Sequence, residues 1–254
     1  MKQSKPLVYR PVFPRLQSAG SKILDILYPP RCPVCEVVLL PGEGSVCRRC
    51  VKHLPYVREP YCMRCGKPLL RHEAELCADC ETHPHMFDEG RAVFMYEKGI
   101  RLSVNRLKFM NRREYIPFFG ECLREVFLRM QKTWMAECIA PVPMHPAKRA
   151  VRGFDQAVLL ARALSSACSI PLSESLLERT RFTESSKKLG RTERRKNLRG
   201  AFRVRPGAVV PRSVILIDDI YTTGTTMDEA ASALRRAGAD RIYYLTLCIG
   251  RGDL

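Results

Sequence analysis

The chain has 254 residues, 46% of them hydrophobic, which is enough to bury a substantial core. Its formal net charge of +17 predicts a polyanionic partner, and both nucleic acid and small phosphorylated ligands belong to that class. No apolar run approaches the ~18 residues of a membrane-spanning helix, and the start lacks the apolar core of a signal peptide, so we expect a cytoplasmic protein with no transmembrane segment.

Residues 1–31 are predicted to form an N-terminal tail and a short amphipathic helix. Leu16, Ile23 and Leu27 would share the apolar face of this helix, and Pro29 would end it. We favour the interpretation that this helix packs against the rest of the chain. Contact with a membrane surface, which would place the protein at the inner face of the membrane, is the alternative.

Residues 32–84 are predicted to form a cysteine-rich metal module. Eight of the twelve cysteines lie here, in Cys-x-x-Cys pairs that begin fifteen residues apart: Cys32 and Cys35, Cys47 and Cys50, Cys62 and Cys65, Cys77 and Cys80. In a reducing compartment such pairs indicate metal binding, and four thiolates complete one tetrahedral Zn²⁺ site that has no position for water. The sequence thus predicts two structural zinc ions. Sequential pairing and interleaved pairing of the four motifs are both open.

Residues 91–254 are predicted to form an α/β domain with a mostly parallel sheet. Strands are expected near 92–96, 139–143, 214–217 and 242–249, and they alternate with helices. The helical periodicity covers residues 100–110, 115–130, 153–164 and 223–237. In sheets of this kind the ligand binds at the carboxyl ends of the strands.

A basic loop is expected after the strand at 139–143. It carries Lys148, Arg149 and Arg152. Cations beyond the end of a strand make a candidate anion site, and a solvated basic loop is the alternative.

Residues 178–205 form a second basic segment, with eleven basic residues against three acidic ones. Its low apolar content predicts a mobile loop. The same charges suit a nucleic-acid backbone, although Phe182 and Phe202 are the segment's only aromatic residues for stacking on bases.

The most informative stretch begins at Val214. Four apolar residues predict a buried strand that ends at the carboxylates of Asp218 and Asp219, and a tight turn then leads into a helix. The turn consists of Thr222, Thr223, Gly224, Thr225 and Thr226. Amides at a helix N-terminus suit a phosphate and adjacent carboxylates suit vicinal hydroxyls, so a ribose 5-phosphate satisfies both. A buried strand with an ordinary polar loop is the alternative, and a P-loop is excluded because no Gly-Lys-Ser/Thr follows.

This stretch resembles the phosphoribosyl diphosphate (PRPP) signature of type I phosphoribosyltransferases. The resemblance implies that the amides of the turn hold the 5-phosphate and that Asp218 and Asp219 hold the ribose hydroxyls. It implies that Lys148, Arg149 and Arg152 hold the Mg²⁺-bound diphosphate. In an active transferase the two carboxylates would stabilise an oxocarbenium-like carbon, and these cations, Arg149 among them, would stabilise the leaving group.

The whole chain resembles the competence protein ComF family, which joins a double zinc ribbon to a type I phosphoribosyltransferase domain. Besides the cysteine pairs and the PRPP signature, the resemblance rests on Leu107-Lys108-Phe109, Pro141-Val-Pro143, Arg152-Gly-Phe-Asp-Gln156 and the run from Arg194 to Phe202. It implies that residues 178–205 form a hood over PRPP. A hood glutamine common in the family is replaced near Ser186.

The resemblance implies a function in natural competence. The protein would be a cytoplasmic accessory of DNA uptake that binds PRPP and single-stranded DNA beside a DNA translocase. An active phosphoribosyltransferase that displaces diphosphate from PRPP is the alternative. Purine-salvage transferases commonly have a carboxylate where Thr222 stands, and the sequence identifies no acceptor pocket, so we rank binding above turnover.

Overall fold

A computed structural model describes residues 29–40, 43–181 and 197–250. The predicted N-terminal tail and helix lie almost entirely outside the described residues, and so does the middle of the basic segment, residues 182–196. Within the described ranges, no helix is both long enough and apolar enough to cross a bilayer.

The core is a parallel sheet of four strands. The strands of the described residues are β1 (Glu89–Met95), β2 (Cys138–Pro141), β3 (Leu177–Arg179), β4 (Phe202–Val204), β5 (Ser213–Tyr221) and β6 (Arg241–Ile249). The parallel sheet has the order β1-β6-β5-β2, while β3 and β4 form a separate antiparallel pair. In the register, Ile217 of β5 lies between Leu245 of β6 and Pro141 of β2. Because all four strands run the same way, their carboxyl ends share one edge of the sheet.

Helices cover both faces of this sheet. Those that lie wholly within the described part of the chain are α1 (Arg48–Val51), α2 (Ala78–Thr82), α3 (Lys98–Phe109), α4 (Ile116–Trp134), α5 (Pro146–Arg152), α6 (Gln156–Cys168) and α7 (Thr225–Arg236), with a 3-10 turn at Arg113–Tyr115. Ile215 and Ile217 pack in one apolar layer with residues of α3, α4 and α6. Val214 and Leu216 point to the other layer, which contains α7. This alternation of buried side chains is the period of two that a strand covered on both faces requires.

The cysteine module packs directly on both layers. Its first half lies on α3, where the hydroxyl of Ser103 donates a 2.6 Å hydrogen bond to the carbonyl oxygen of Pro33. Its second half lies against the sheet, where the hydroxyl of Tyr244 donates a 2.6 Å hydrogen bond to the carbonyl oxygen of Cys65. The module therefore supports two different elements of the domain.

The predicted fold class, a mostly parallel α/β sheet preceded by a cysteine-rich module, is confirmed. Two local predictions are wrong. The basic loop after β2 is the short helix α5, which His145 caps by accepting a hydrogen bond from the amide of Ala147. Strand β5 does not end at the acidic pair but continues to Tyr221, because the buried carboxylate of Asp219 forms an ion pair with Lys108.

The basic segment is only partly a loop. Its two ends form the strands β3 and β4, with Glu178 opposite Arg203. The predicted mobile centre of the segment lies outside the described residues.

The close approach of β1 to the ring of Tyr244 on β6 predicts the effect of substituting one glycine. A Cβ at Gly90 would lie 1.9 Å from the ring of Tyr244, which is itself fully buried. We expect Gly90→Ala to lower the free energy of unfolding by about 3 kcal/mol, the upper range for overpacking, as measured by denaturant titration. Gly250→Ala is the control, because its Cβ would be 3.8 Å from the nearest atom. Equal stability of the two variants would contradict this account.

Candidate functional site

The eight predicted metal ligands form two separate groups of four. Cys32, Cys35, Cys47 and Cys50 make the first cluster, and Cys62, Cys65, Cys77 and Cys80 make the second, with the sulfur atoms of each lying within 4.8 Å of one another. The motifs are therefore paired sequentially and not interleaved.

The dimensions of the two clusters fit zinc. A tetrahedral ion with sulfur ligands at about 2.3 Å requires sulfur atoms about 3.8 Å apart. The sulfur atoms of Cys35 and Cys47 are 3.8 Å apart, and those of Cys65 and Cys77 are 3.6 Å apart. The amide of Cys50 also donates a hydrogen bond to the sulfur of Cys47, a contact that orients this thiolate and offsets part of its charge. These residues would hold structural Zn²⁺.

A cleft of about 200 Å³ lies at the carboxyl ends of β2 and β5. Predicted residues from two distant parts of the chain line it: Lys148, Arg152, Asp218, Asp219 and Thr226. The structure adds residues to which the sequence analysis gave no role at this site, namely Lys108, Gln156 and Arg179. The cleft thus combines carboxylates, cations and the first turn of a helix.

Asp219 is neutralised by a lysine from another element. Its carboxylate lies 2.9 Å from the ammonium nitrogen of Lys108 on α3, and only 4% of Asp219 is exposed. Burial opposes the charge on Lys108, but the attraction of Asp219 outweighs it and raises the pKa of the lysine. A buried carboxylate requires such a partner. The sequence signal for Lys108 was present only as part of the Leu107-Lys108-Phe109 motif.

Asp218 differs from its neighbour in its protonation. Burial, reinforced by the charge of Asp219, raises the pKa of Asp218 to about 8. The amide of Asp219 donates a 2.8 Å hydrogen bond to Asp218 and partly offsets this shift. Around neutral pH the ligand-free pair therefore carries less than its formal charge of two.

Helix α5 divides its cations between two environments. Lys148 and Arg152 are four residues apart and line the cleft, as helical spacing allows, while Arg149 is exposed on the same helix. The guanidinium of Arg152 donates a 2.6 Å hydrogen bond to Gln156 and lies 5.2 Å from the ring centroid of Phe109. These contacts fix Arg152 at the mouth of the cleft.

The threonine turn lies between two hollows. Gly224 is the N-cap residue of α7, with φ +79°, and Thr226 reaches the acidic cleft. Thr223 and Thr225 line a neighbouring hollow of about 240 Å³, and their hydroxyl oxygens are 3.0 Å apart. Thr222 is exposed at the end of β5. The first amides of α7 have no partners inside the helix, as at every helix N-terminus, so the turn has the chemistry of an anion site.

Arg179 brings the basic segment to the cleft. It lies on β3, its guanidinium is 5.3 Å from the ring centroid of Phe202 on β4, and burial lowers its pKa, with the charge of Asp218 opposing that shift. The β3-β4 pair thus places one cation opposite those of α5.

Comparisons with known proteins agree with this architecture. A family model described as a double zinc ribbon domain matches residues 23–81. Competence protein F of Haemophilus influenzae is 29% identical over 218 residues, covering 84% of this chain and 93% of the relative. DNA utilization protein YhgH of Escherichia coli K12 is 28% identical over 223 residues, covering 87% and 97%. Competence protein ComFC of Bacillus subtilis is 29% identical over 208 residues, covering 79% and 82%.

The solved structures to which this chain is similar include two enzymes. The glutamine PRPP amidotransferase of Bacillus subtilis has a TM-score of 0.36 and 20% identity, covering 53% of this chain and 26% of that one. A hypoxanthine phosphoribosyltransferase from Staphylococcus aureus has a TM-score of 0.33 and 15% identity, covering 56% and 69%.

The buried ion pair predicts a strong coupling between its partners. Lys108→Met would leave the carboxylate of Asp219 buried without its cation, and we expect a loss of about 3–5 kcal/mol in the free energy of unfolding. The double variant Lys108→Met with Asp219→Leu should recover most of the loss, because an apolar pair needs no neutralisation. Additive losses in denaturant titrations of the two single variants and the double variant would contradict the pairing.

The shifted pKa of Asp218 predicts a dependence of stability on pH. Its folded-state pKa lies above the unfolded value of about 3.9, so the stability gained from its protonation is complete below that value and is lost as the pH rises through about 8. We therefore expect Asp218→Asn to raise the melting temperature of the ligand-free protein at pH 9 more than at pH 5. Calorimetric scans at the two pH values measure this difference, and an equal effect at both would refute the shift.

Proposed function

We propose that this chain, which is similar to the ComF and YhgH proteins over most of its length, is a DNA-uptake accessory protein that binds PRPP in the cleft at the end of β5. The names of its relatives support the competence role. One structural observation supports the ligand: the acidic pair, the cations of α5 and the first turn of α7 line or border one cleft.

Each part of PRPP has a chemically suitable partner in this arrangement. The 5-phosphate would bind the amides from Thr222 to Thr226, where the helix dipole favours negative charge. The ribose hydroxyls would bind the carboxylate of Asp218, because that of Asp219 is occupied by Lys108. The diphosphate would bind Lys148 and Arg152.

A magnesium ion fits the same site. Mg²⁺ in phosphate sites typically binds one or two protein carboxylates together with phosphate oxygens and water. Asp218 would supply the carboxylate and the diphosphate would supply the phosphate oxygens. The metal would neutralise part of the ligand's charge and favour the ionised form of Asp218.

Single-stranded DNA is the second proposed ligand. The described ends of the basic segment and helix α5 present the exposed cations Arg149, Arg199 and Arg205, which lie outside the lining of the cleft. A polynucleotide backbone would neutralise them by releasing counterions, so its affinity must fall as the salt concentration rises. A competence DNA translocase is a possible partner on the same functional grounds.

An active phosphoribosyltransferase is the second candidate function. The observation that favours it is that Asp218 and Arg152 line the same cleft, where the carboxylate would stabilise an oxocarbenium-like carbon and the cation would stabilise the leaving diphosphate. In that case the cations of α5, Arg149 among them, would stabilise the charge of the leaving diphosphate. Release of diphosphate in the presence of acceptor bases would support this function over binding alone.

Two arginines of α5 provide a matched test. Arg152→Gln should weaken the binding of magnesium PRPP at least about tenfold, because it removes a charge-assisted contact from the cleft. Arg149→Gln removes the same charge from the exposed side of the helix and should change PRPP affinity less than about twofold while weakening oligonucleotide binding. Isothermal titration calorimetry measures the affinity for magnesium PRPP, and fluorescence anisotropy measures the affinity for the oligonucleotide. No heat from the unmodified protein with magnesium PRPP would refute the proposed ligand.

A further inference from the structure

Two side chains fill the space beneath the threonine turn. Gly224 has φ +79°, and a Cβ built on it would lie 2.6 Å from the hydroxyl oxygen of Tyr221 and 2.9 Å from Cε1 of His85. The backbone of the turn therefore rests directly on Tyr221 and His85. Its shape depends on what holds these two side chains.

His85 is held by the first turn of α7. Its Nδ1 lies 3.0 Å from the carboxylate of Asp228, and its ring stacks on Phe87 with centroids 4.6 Å apart. A carboxylate accepts, so Nδ1 donates, and Nε2 has no hydrogen-bond partner among the residues that the structure describes. Asp228 also accepts a 2.9 Å hydrogen bond from the amide of Met86. The linker after the second cysteine cluster is thus hydrogen-bonded to α7, the helix whose N-terminus forms part of the threonine turn.

Tyr221 is held by the second cysteine cluster. Its ring stacks on Tyr244 with centroids 4.7 Å apart and an interplanar angle of 5°. The hydroxyl of Tyr244 donates its 2.6 Å hydrogen bond to the carbonyl oxygen of Cys65, a ligand residue with no exposed surface. A buried path therefore connects Cys65, Tyr244, Tyr221 and Gly224.

We propose that His85 and Tyr244 are positioning residues that couple metal loading of the second cysteine cluster to phosphate binding at the threonine turn. Amides already fixed in their binding arrangement lose no further conformational freedom when a ligand arrives, so a loosened support lowers affinity. The inference rests on the proposed function for one point only, that this turn is the 5-phosphate site.

Two fragments of PRPP separate positioning from general stability. Ribose 5-phosphate reports on the turn, and magnesium diphosphate reports on the cations of α5. Tyr244→Phe keeps the stacked ring and removes the bond to Cys65, while His85→Phe keeps a ring and removes the donor to Asp228. We expect each variant to weaken ribose 5-phosphate binding about tenfold and to leave magnesium diphosphate binding within about twofold.

Two further variants serve as controls. His85→Asn retains an amide donor near the position of Nδ1 and should restore most of the affinity for ribose 5-phosphate. Leu123→Ala creates a cavity in α4, in the opposite apolar layer, and should lower the melting temperature without changing that affinity. If Leu123→Ala weakened ribose 5-phosphate binding as much as Tyr244→Phe does, the effect would be general instability and the proposal would be wrong.

Linkage provides a readout that needs no catalytic activity. If metal loading favours the ligand, the ligand must favour the metal by the same factor. Ribose 5-phosphate should therefore raise the concentration of a chromogenic chelator that removes one of the two zinc equivalents from the full-length protein at equilibrium, and Tyr244→Phe should abolish this protection. Suppose that the unmodified protein binds ribose 5-phosphate normally, and that the variants bind it with unchanged affinity and release zinc as the unmodified protein does. That result would refute the coupling and leave the proposed phosphate site standing. Failure of the unmodified protein to bind ribose 5-phosphate would overturn the proposed site as well.

Discussion

The ion pair between Lys108 and Asp219 makes the site compatible with the fold. Successive side chains of β5 point to opposite faces, so a strand carrying two adjacent carboxylates sends one of them into the layer formed by α3, α4 and α6. An unpaired carboxylate in this apolar layer would either become protonated or move out to solvent and distort the strand. Lys108 removes that conflict, and β5 can continue through the acidic pair to Tyr221. The threonine turn consequently begins at Thr222, after the acidic pair and two further strand residues, and reaches the cleft again at Thr226.

The two cysteine clusters act on opposite sides of this arrangement. The first packs on α3, where Ser103 bonds to Pro33 and Arg106 pairs with Glu36 at 3.0 Å, so it supports the helix that supplies Lys108. The second supports Tyr244 and the linker beneath the turn. About fifty residues with short helices cannot form a large core of their own, and metal sites replace one. The module thus supports both sides of the cleft, while none of its described residues lines it.

Local chemistry was predictable from the sequence, and the contacts between distant segments were not. The cysteine spacing predicted both clusters, and the acidic pair with its turn predicted a strand edge with a helix beyond it, because each signal lies within contiguous residues. Helix α5 was missed since seven residues are too few to show a period. Lys108 is more than a hundred positions from Asp219, and nothing in a single sequence pairs them. The spacing of Lys148 and Arg152 would have placed them on one face had the helix been recognised.

The charges of the cleft suit a ligand that brings its own metal. With Asp219 paired and Asp218 mostly protonated near neutral pH, the acidic signature repels an approaching anion far less than its sequence suggests. Lys148, Arg152 and Arg179 then dominate the field at the mouth and attract phosphate groups. A magnesium ion arriving with a diphosphate would favour the ionised form of Asp218, so the carboxylate becomes charged only where a cation compensates it. For the proposed ligand, electrostatics predicts an order of events: the cations would bind the phosphate groups first, and Asp218 would contact the ribose and the metal afterwards.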